Sequence, residues 1–161
     1  MKAATTMAMA LLLAAAAAAW SSPPELSQHQ VWTLQEASRA GGAHETSRKL
    51  EFNFTVTLQA ILGQESSWCI DKHRRDPLGW GCGQLTLATA RLFDASATTN
   101  KLMDNDRYNI WLAATYLAYC RDKTPDWTEM VRCYKGRDTQ HWQEYVEAIR
   151  RRLKNLPVSE D

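Results

Sequence analysis

The chain has 161 residues, a formal net charge of +1 and 45% apolar side chains. That length supports one packed domain and is too short for two. With 19 basic residues against 18 acidic ones there is no bulk field to attract nucleic acid, and 4 cysteines without a C-x-x-C pair or an H-E-x-x-H run offer no zinc site.

The first expected element is an export signal over residues 1–20. Lys2 gives a short positive start, Met7 to Ala19 an apolar run, and Ala17 and Ala19 the small residues of a cleavage site. The run falls short of the ~18–20 apolar residues that a membrane span needs, so no stable membrane insertion is expected. Residues 21–46 read as a short helix, about Glu25 to Ser38, followed by a flexible Gly41-Gly42 stretch. The core domain is expected over 47–156, with a tail at 157–161. Cys69, Cys82, Cys120 and Cys133 form an even set, which in an exported domain suggests disulfides. Three connectivities exist; Cys69–Cys82 with Cys120–Cys133 closes two short local loops and is favoured.

The next element carries the main chemical signal. Leu58 to Cys69 reads as a helix, and Glu65 lies at offsets from Leu58, Ile61, Leu62, Trp68 and Cys69 that share one helical face. Most glutamates on helices are solvated surface residues. One on an apolar stripe is desolvated instead, which disfavours its charged form and suits it to donate a proton.

A loop follows, Ile70 to Gly83, with Pro77 and glycines at 79, 81 and 83. Further helices are predicted over about Thr86–Ala95, Asp106–Arg121, Trp127–Lys135 and Gln140–Leu153, the last ended by Pro157. Ile110, Ala113, Ala114, Leu117 and Ala118 share one face of the Asp106 helix, and Trp142, Tyr145, Val146, Ile149 and Leu153 share one of the last. Trp111, Trp127, Trp142 and Tyr145 are assigned to packing. No stretch alternates with period two, so the fold class is mainly α, with a small strand or hairpin in the 70–83 loop. The basic clusters Lys72-His73-Arg74-Arg75 and Arg150-Arg151-Arg152 read as a charged loop and a solvated helix end. The 4 histidines are scattered, and no metal or cofactor is expected.

Four segments now stand in order: Glu65-Ser66-Ser67-Trp68; Gly79-Trp80-Gly81-Cys82-Gly83-Gln84-Leu85 leading to Ala88-Thr89-Ala90; Asn109-Ile110 with Tyr116-Leu117-Ala118-Tyr119; and Cys133-Tyr134-Lys135-Gly136. Together they resemble the lysozyme-like soluble lytic transglycosylases of bacterial cell walls. The resemblance spans about Thr57 to Tyr145 and implies a lysozyme-like helical domain. By position it implies Glu65 as the catalytic acid, with Ser66, Gly81, Gln84 and Tyr134 at family motif positions. Trp68, Trp80 and Tyr134 offer flat faces to sugar rings, Gln84 offers amide donors and an acceptor, and the Tyr134 hydroxyl is placed to orient Glu65. Glycines at 79, 81 and 83 would let a sugar approach the main chain. The chain departs from the pattern at Cys82-Gly83, which replaces Leu-Met, at Leu87 in place of proline, and at Lys135 in place of asparagine.

The resemblance implies cleavage of the MurNAc-GlcNAc β-1,4 bond of peptidoglycan glycan strands with formation of 1,6-anhydromuramic ends, in the periplasm or outside the cell. Wall turnover, secretion, conjugation and phage-lysis machinery are all open as settings. One rival is a muramidase of the goose-type lysozyme kind, which needs a second carboxylate; Asp71 and Asp76 are the candidates. The other is a peptidoglycan-binding or secretion-assembly protein without turnover.

Overall fold

The structure is a computed structural model that describes residues 26–44, 52–72, 78–136 and 141–156. The expected export signal, the loop residues His73 to Pro77 and the 157–161 tail lie outside these. The described residues form a mainly α domain of seven helices and one two-stranded hairpin.

Helix α1 (Gln28–Gly42) starts at a capping box in which Ser27 and Gln30 satisfy each other's backbone N–H groups. It runs four residues beyond the expected end, so Gly41 and Gly42 belong to its last turn and do not form a flexible stretch. The reason is a close crossing: a Cβ on Gly41 would come within 2.6 Å of Thr55 Oγ1. Helix α2 (Phe54–Ser66) is capped by Asn53, whose side chain accepts from the Val56 amide. It buries Leu58, Ile61 and Leu62 completely.

Helix α2 ends earlier than its apolar pattern predicts. Ser67, Trp68 and Cys69 all have left-handed backbone, with φ of 52°, 56° and 65°. Such residues cost about 1–2 kcal/mol each outside glycine. The turn is held by Ser66, whose hydroxyl accepts from the Cys69 amide at 2.9 Å and donates to the Cys82 carbonyl at 2.7 Å, and by the Cys69–Cys82 disulfide. Trp68 and Cys69 therefore do not share the helical face of Glu65.

Strand β1 (Gly79–Trp80) pairs antiparallel with β2 (Leu85–Thr86), in the register Gly79 to Thr86 and Trp80 to Leu85. The hairpin exists, but its second strand lies past the loop to which it was assigned. Thr86 then caps α3 (Leu87–Arg91), shorter than expected. Helix α4 (Thr99–Asp104), not predicted, buries one apolar side chain, Leu102.

Helix α5 (Asp106–Lys123) is the central element and touches α1, α2, α4 and α6. Its predicted apolar face is buried in full, and alanines at 113, 114 and 118 allow neighbours to approach closely. Helix α6 (Trp127–Lys135) is tied to it by the Cys120–Cys133 disulfide. Helix α7 (Trp142–Asn155) packs Tyr145, Val146 and Ile149 against α2 and α6. Both disulfides join the pairs favoured from the spacing. One packing assignment fails: Trp111 is 43% exposed. Trp127 and Trp142 do pack, the first with its ring nitrogen donating to Thr57 Oγ1 and the second beneath the Arg132 guanidinium.

Candidate active site

Glu65 is the penultimate residue of α2 and is half-buried at the mouth of a cleft of about 150 Å³. The hairpin and the start of α3 form one wall, with Gln84, Leu85, Thr86 and Thr89. Tyr116 of α5 and Tyr134, Lys135 and Gly136 at the end of α6 form the other. Among the described residues that line this cleft, Glu65 is the only carboxylate.

Two phenols flank the acid. Tyr134 is buried, and burial pushes its pKa well above the ordinary value, with the charge of Glu65 adding to the rise. Its hydroxyl donates to the Gly83 carbonyl at 2.9 Å, so it secures the hairpin turn and does not orient Glu65. That part falls to Tyr145, which had been assigned to packing. Burial raises the Tyr145 pKa well above normal; the charge of Glu65 comes next, followed by Tyr134 and by a side-chain hydrogen bond to Glu65. The hydrogen bond is loose, since the buried hydroxyl has no partner at ideal geometry. Both phenols keep their protons across the physiological range, so toward the carboxyl group Tyr145 acts as a donor. A signal for Tyr145 existed in the sequence: a tyrosine on a core stripe needs a polar partner for its hydroxyl, and Glu65 is the acid on the facing helix.

The remaining predicted site residues divide by position. Ser66 is fully buried and clamps the α2 end to the hairpin turn. Gly81 faces away from the cleft: with φ of 71°, a Cβ there would meet the Leu102 carbonyl at 2.1 Å and Asn109 Nδ2 at 2.3 Å. A Cβ on Gly83 would lie 2.7 Å from both Ala113 Cβ and the Tyr134 hydroxyl. The glycines at 81 and 83 thus admit neighbouring helices and not a sugar. Gln84 lines the cleft, but its amide nitrogen donates to the Lys72 and Gly81 carbonyls at 2.7 and 2.8 Å, so its donors pin the loop. Trp68 turns to the other side of α2, under Arg152 and beside Gln64, and lines a separate hollow there. Asn109 was read only as part of a motif. It is fully buried, accepts from the Gly83 amide at 2.7 Å, and donates to the Trp80 and Leu102 carbonyls at 2.8 and 3.1 Å.

His29, Cys69 and Asp106 bring metal-ligand atoms within 4.8 Å of one another. The sulfur belongs to a disulfide, and Asp106 pairs with Lys72 at 2.8 Å, so the group suits a packed joint better than an ion. Comparison with protein-family models, curated proteins and solved structures finds no match to the chain.

Chemically, the described residues of the cleft present one half-buried carboxyl group with a phenol donor beside it and threonine hydroxyls opposite. That arrangement can give a proton to a bound ether oxygen and take one back from a nearby hydroxyl.

Proposed function

We propose that the protein is an exported peptidoglycan lytic transglycosylase with a lysozyme-like helical domain. The observation that carries this reading is the Glu65 carboxyl, the only one among the described residues that line the cleft, held beside Tyr145 and supported by a hairpin locked onto α2. The order of motifs that resembles the transglycosylase family falls around this one cleft.

In the proposed reaction, protonated Glu65 donates to the oxygen that links MurNAc C1 to GlcNAc. The C1–O bond breaks, the proton leaves on the GlcNAc hydroxyl, and an oxocarbenium-like centre develops at C1. The Glu65 carboxylate then accepts the proton of the muramic C6 hydroxyl as O6 bonds to C1. The acid is regenerated, a 1,6-anhydro ring forms, and no water is consumed.

Among the described residues that line the cleft no second carboxylate accompanies Glu65, which favours this route over hydrolysis. An inverting hydrolase holds a second carboxylate about 6.5–9.5 Å away to activate water. Asp71 does not line the cleft, and Asp76 lies outside the described residues. Export is supported by the two disulfides, which suit an oxidising compartment. Among the described residues no helix is long and apolar enough to cross a membrane.

The test is mass spectrometry of peptidoglycan digested by the wild type and by Glu65→Gln. Anhydro-ended muropeptides from the first and almost none from the second are expected. Reducing ends would indicate a hydrolase, and equal turnover by both proteins would remove Glu65 from the chemistry.

A further inference from the structure

Lys135 is the last residue of α6, and Gly136, with φ of 101°, turns the chain away immediately after it. Its side chain is half-buried and lines the same cleft as Glu65. The ammonium lies 5.2 Å from the centre of the Tyr145 ring, whose hydroxyl neighbours the acid. Among the described residues it forms no salt bridge. Lys72, Arg107, Arg121, Arg132 and Arg150 are each paired with a carboxylate.

A cation at a helix C-terminus is favourable for its own sake, and Arg132 in the same turn already meets that need. The macrodipole does not explain why Lys135 leans inward over an aromatic face in a recess. A compact ammonium with three donors, partly withdrawn from water and without a salt bridge among the described residues, can receive an anion.

We propose that Lys135 is a specificity determinant of the cleft, receiving a carboxylate carried by the muramyl residue next to the scissile bond. The inference rests on the transglycosylase reading and adds a substrate requirement to it. The carboxylate has two possible sources: the free lactyl group of a peptide-free strand, or an acid of the stem peptide, whose attachment converts the lactyl group to an amide. A polymer of GlcNAc alone has neither. The charge belongs to this chain's own sequence, since the motif that it resembles carries a neutral asparagine here.

The experiment is calorimetric binding in the Glu65→Gln protein, where no turnover intervenes. The ligands are a peptide-free MurNAc-GlcNAc tetrasaccharide, the same tetrasaccharide with stem peptides, and neutral chitotetraose. At least one charged ligand is expected to bind about tenfold or more tighter than chitotetraose, with a preference that shrinks as salt is added. Which charged ligand shows it identifies the source of the carboxylate. Adding Lys135→Met abolishes the preference; Lys135→Arg retains it. Equal affinity for all three ligands, binding of none, or a preference that survives Lys135→Met overturns the proposal. Because this readout is affinity and the test of function is product chemistry, either can fail without the other.

Discussion

Replacing Asn109 with alanine tests whether the hairpin is held against α5 by one buried amide. Asn109 is 0% exposed and makes three hydrogen bonds to main-chain groups of β1, the glycine turn and the end of α4. Truncation orphans the Gly83 amide in the interior, at a cost of about 1–3 kcal/mol, and removes a donor from two carbonyls at about 1 kcal/mol each. The expected loss is therefore ~4 kcal/mol, a large share of the roughly 5–15 kcal/mol that domains of this size possess. With a urea slope of about 2 kcal/mol per molar, the midpoint should fall by about 2 M without a change of slope. Asn105→Ala, which removes only the exposed α5 cap, serves as control and should cost about 1 kcal/mol. Asn109→Asp is informative as well, because a carboxylate can accept from Gly83 but cannot donate to either carbonyl. Hydrogen exchange at the Gly83 amide gives the local readout. A midpoint shift under about 0.5 M with that amide still protected would refute the reasoning and leave the Cys69–Cys82 disulfide as the holding element.

Two further outcomes follow from the same geometry. Tyr145→Phe keeps the buried ring but removes the hydroxyl beside Glu65, so on the proposed transglycosylase reading turnover of peptidoglycan should drop about 10-fold or more while the fold persists; unchanged turnover would show that the phenol only packs. His44 has a lowered pKa, chiefly from burial and then from Arg121, so below its ordinary value of 6.5 the unfolded chain takes up a proton that the folded state resists. Stability should fall as the pH drops through the ordinary value and level off below the folded pKa. In His44→Gln that component disappears, and urea midpoints with the same pH slope in both proteins would contradict the assignment.

What was legible in the sequence was periodic. The apolar face of α5 and the α7 residues Tyr145, Val146 and Ile149 were visible because burial repeats with the helix, and the disulfide pairs were visible because each closes a short loop. Helix α4 was missed because six residues with one buried side chain carry no period. The end of α2 was misplaced for a different reason. Left-handed serine, tryptophan and cysteine give no local signal, since the conformation is imposed by Ser66, the disulfide and the hairpin acting together. Trp68 went with it to the far side of the helix.

The glycine motif shows how residues singled out for one role can serve another. Read as sugar access, Gly81 and Gly83 would be required by a ligand; as placed, they are required by Leu102, Asn109, Ala113 and Tyr134. Ser66 and the Gln84 amide serve the same joint from the other side. The departures from the family pattern then acquire a physical sense. Cys82 supplies a covalent tie where the pattern has leucine, and Gly83 leaves space where methionine would collide with α5 and the Tyr134 hydroxyl. Side chains that contact solvent in the cleft are free to set specificity, and Lys135 is one of them. Those behind it can change only together, because each fills the space or satisfies the polar group left by another. Substitution at Lys135 should therefore alter what binds, whereas substitution at Gly81, Gly83 or Asn109 should alter whether the cleft forms.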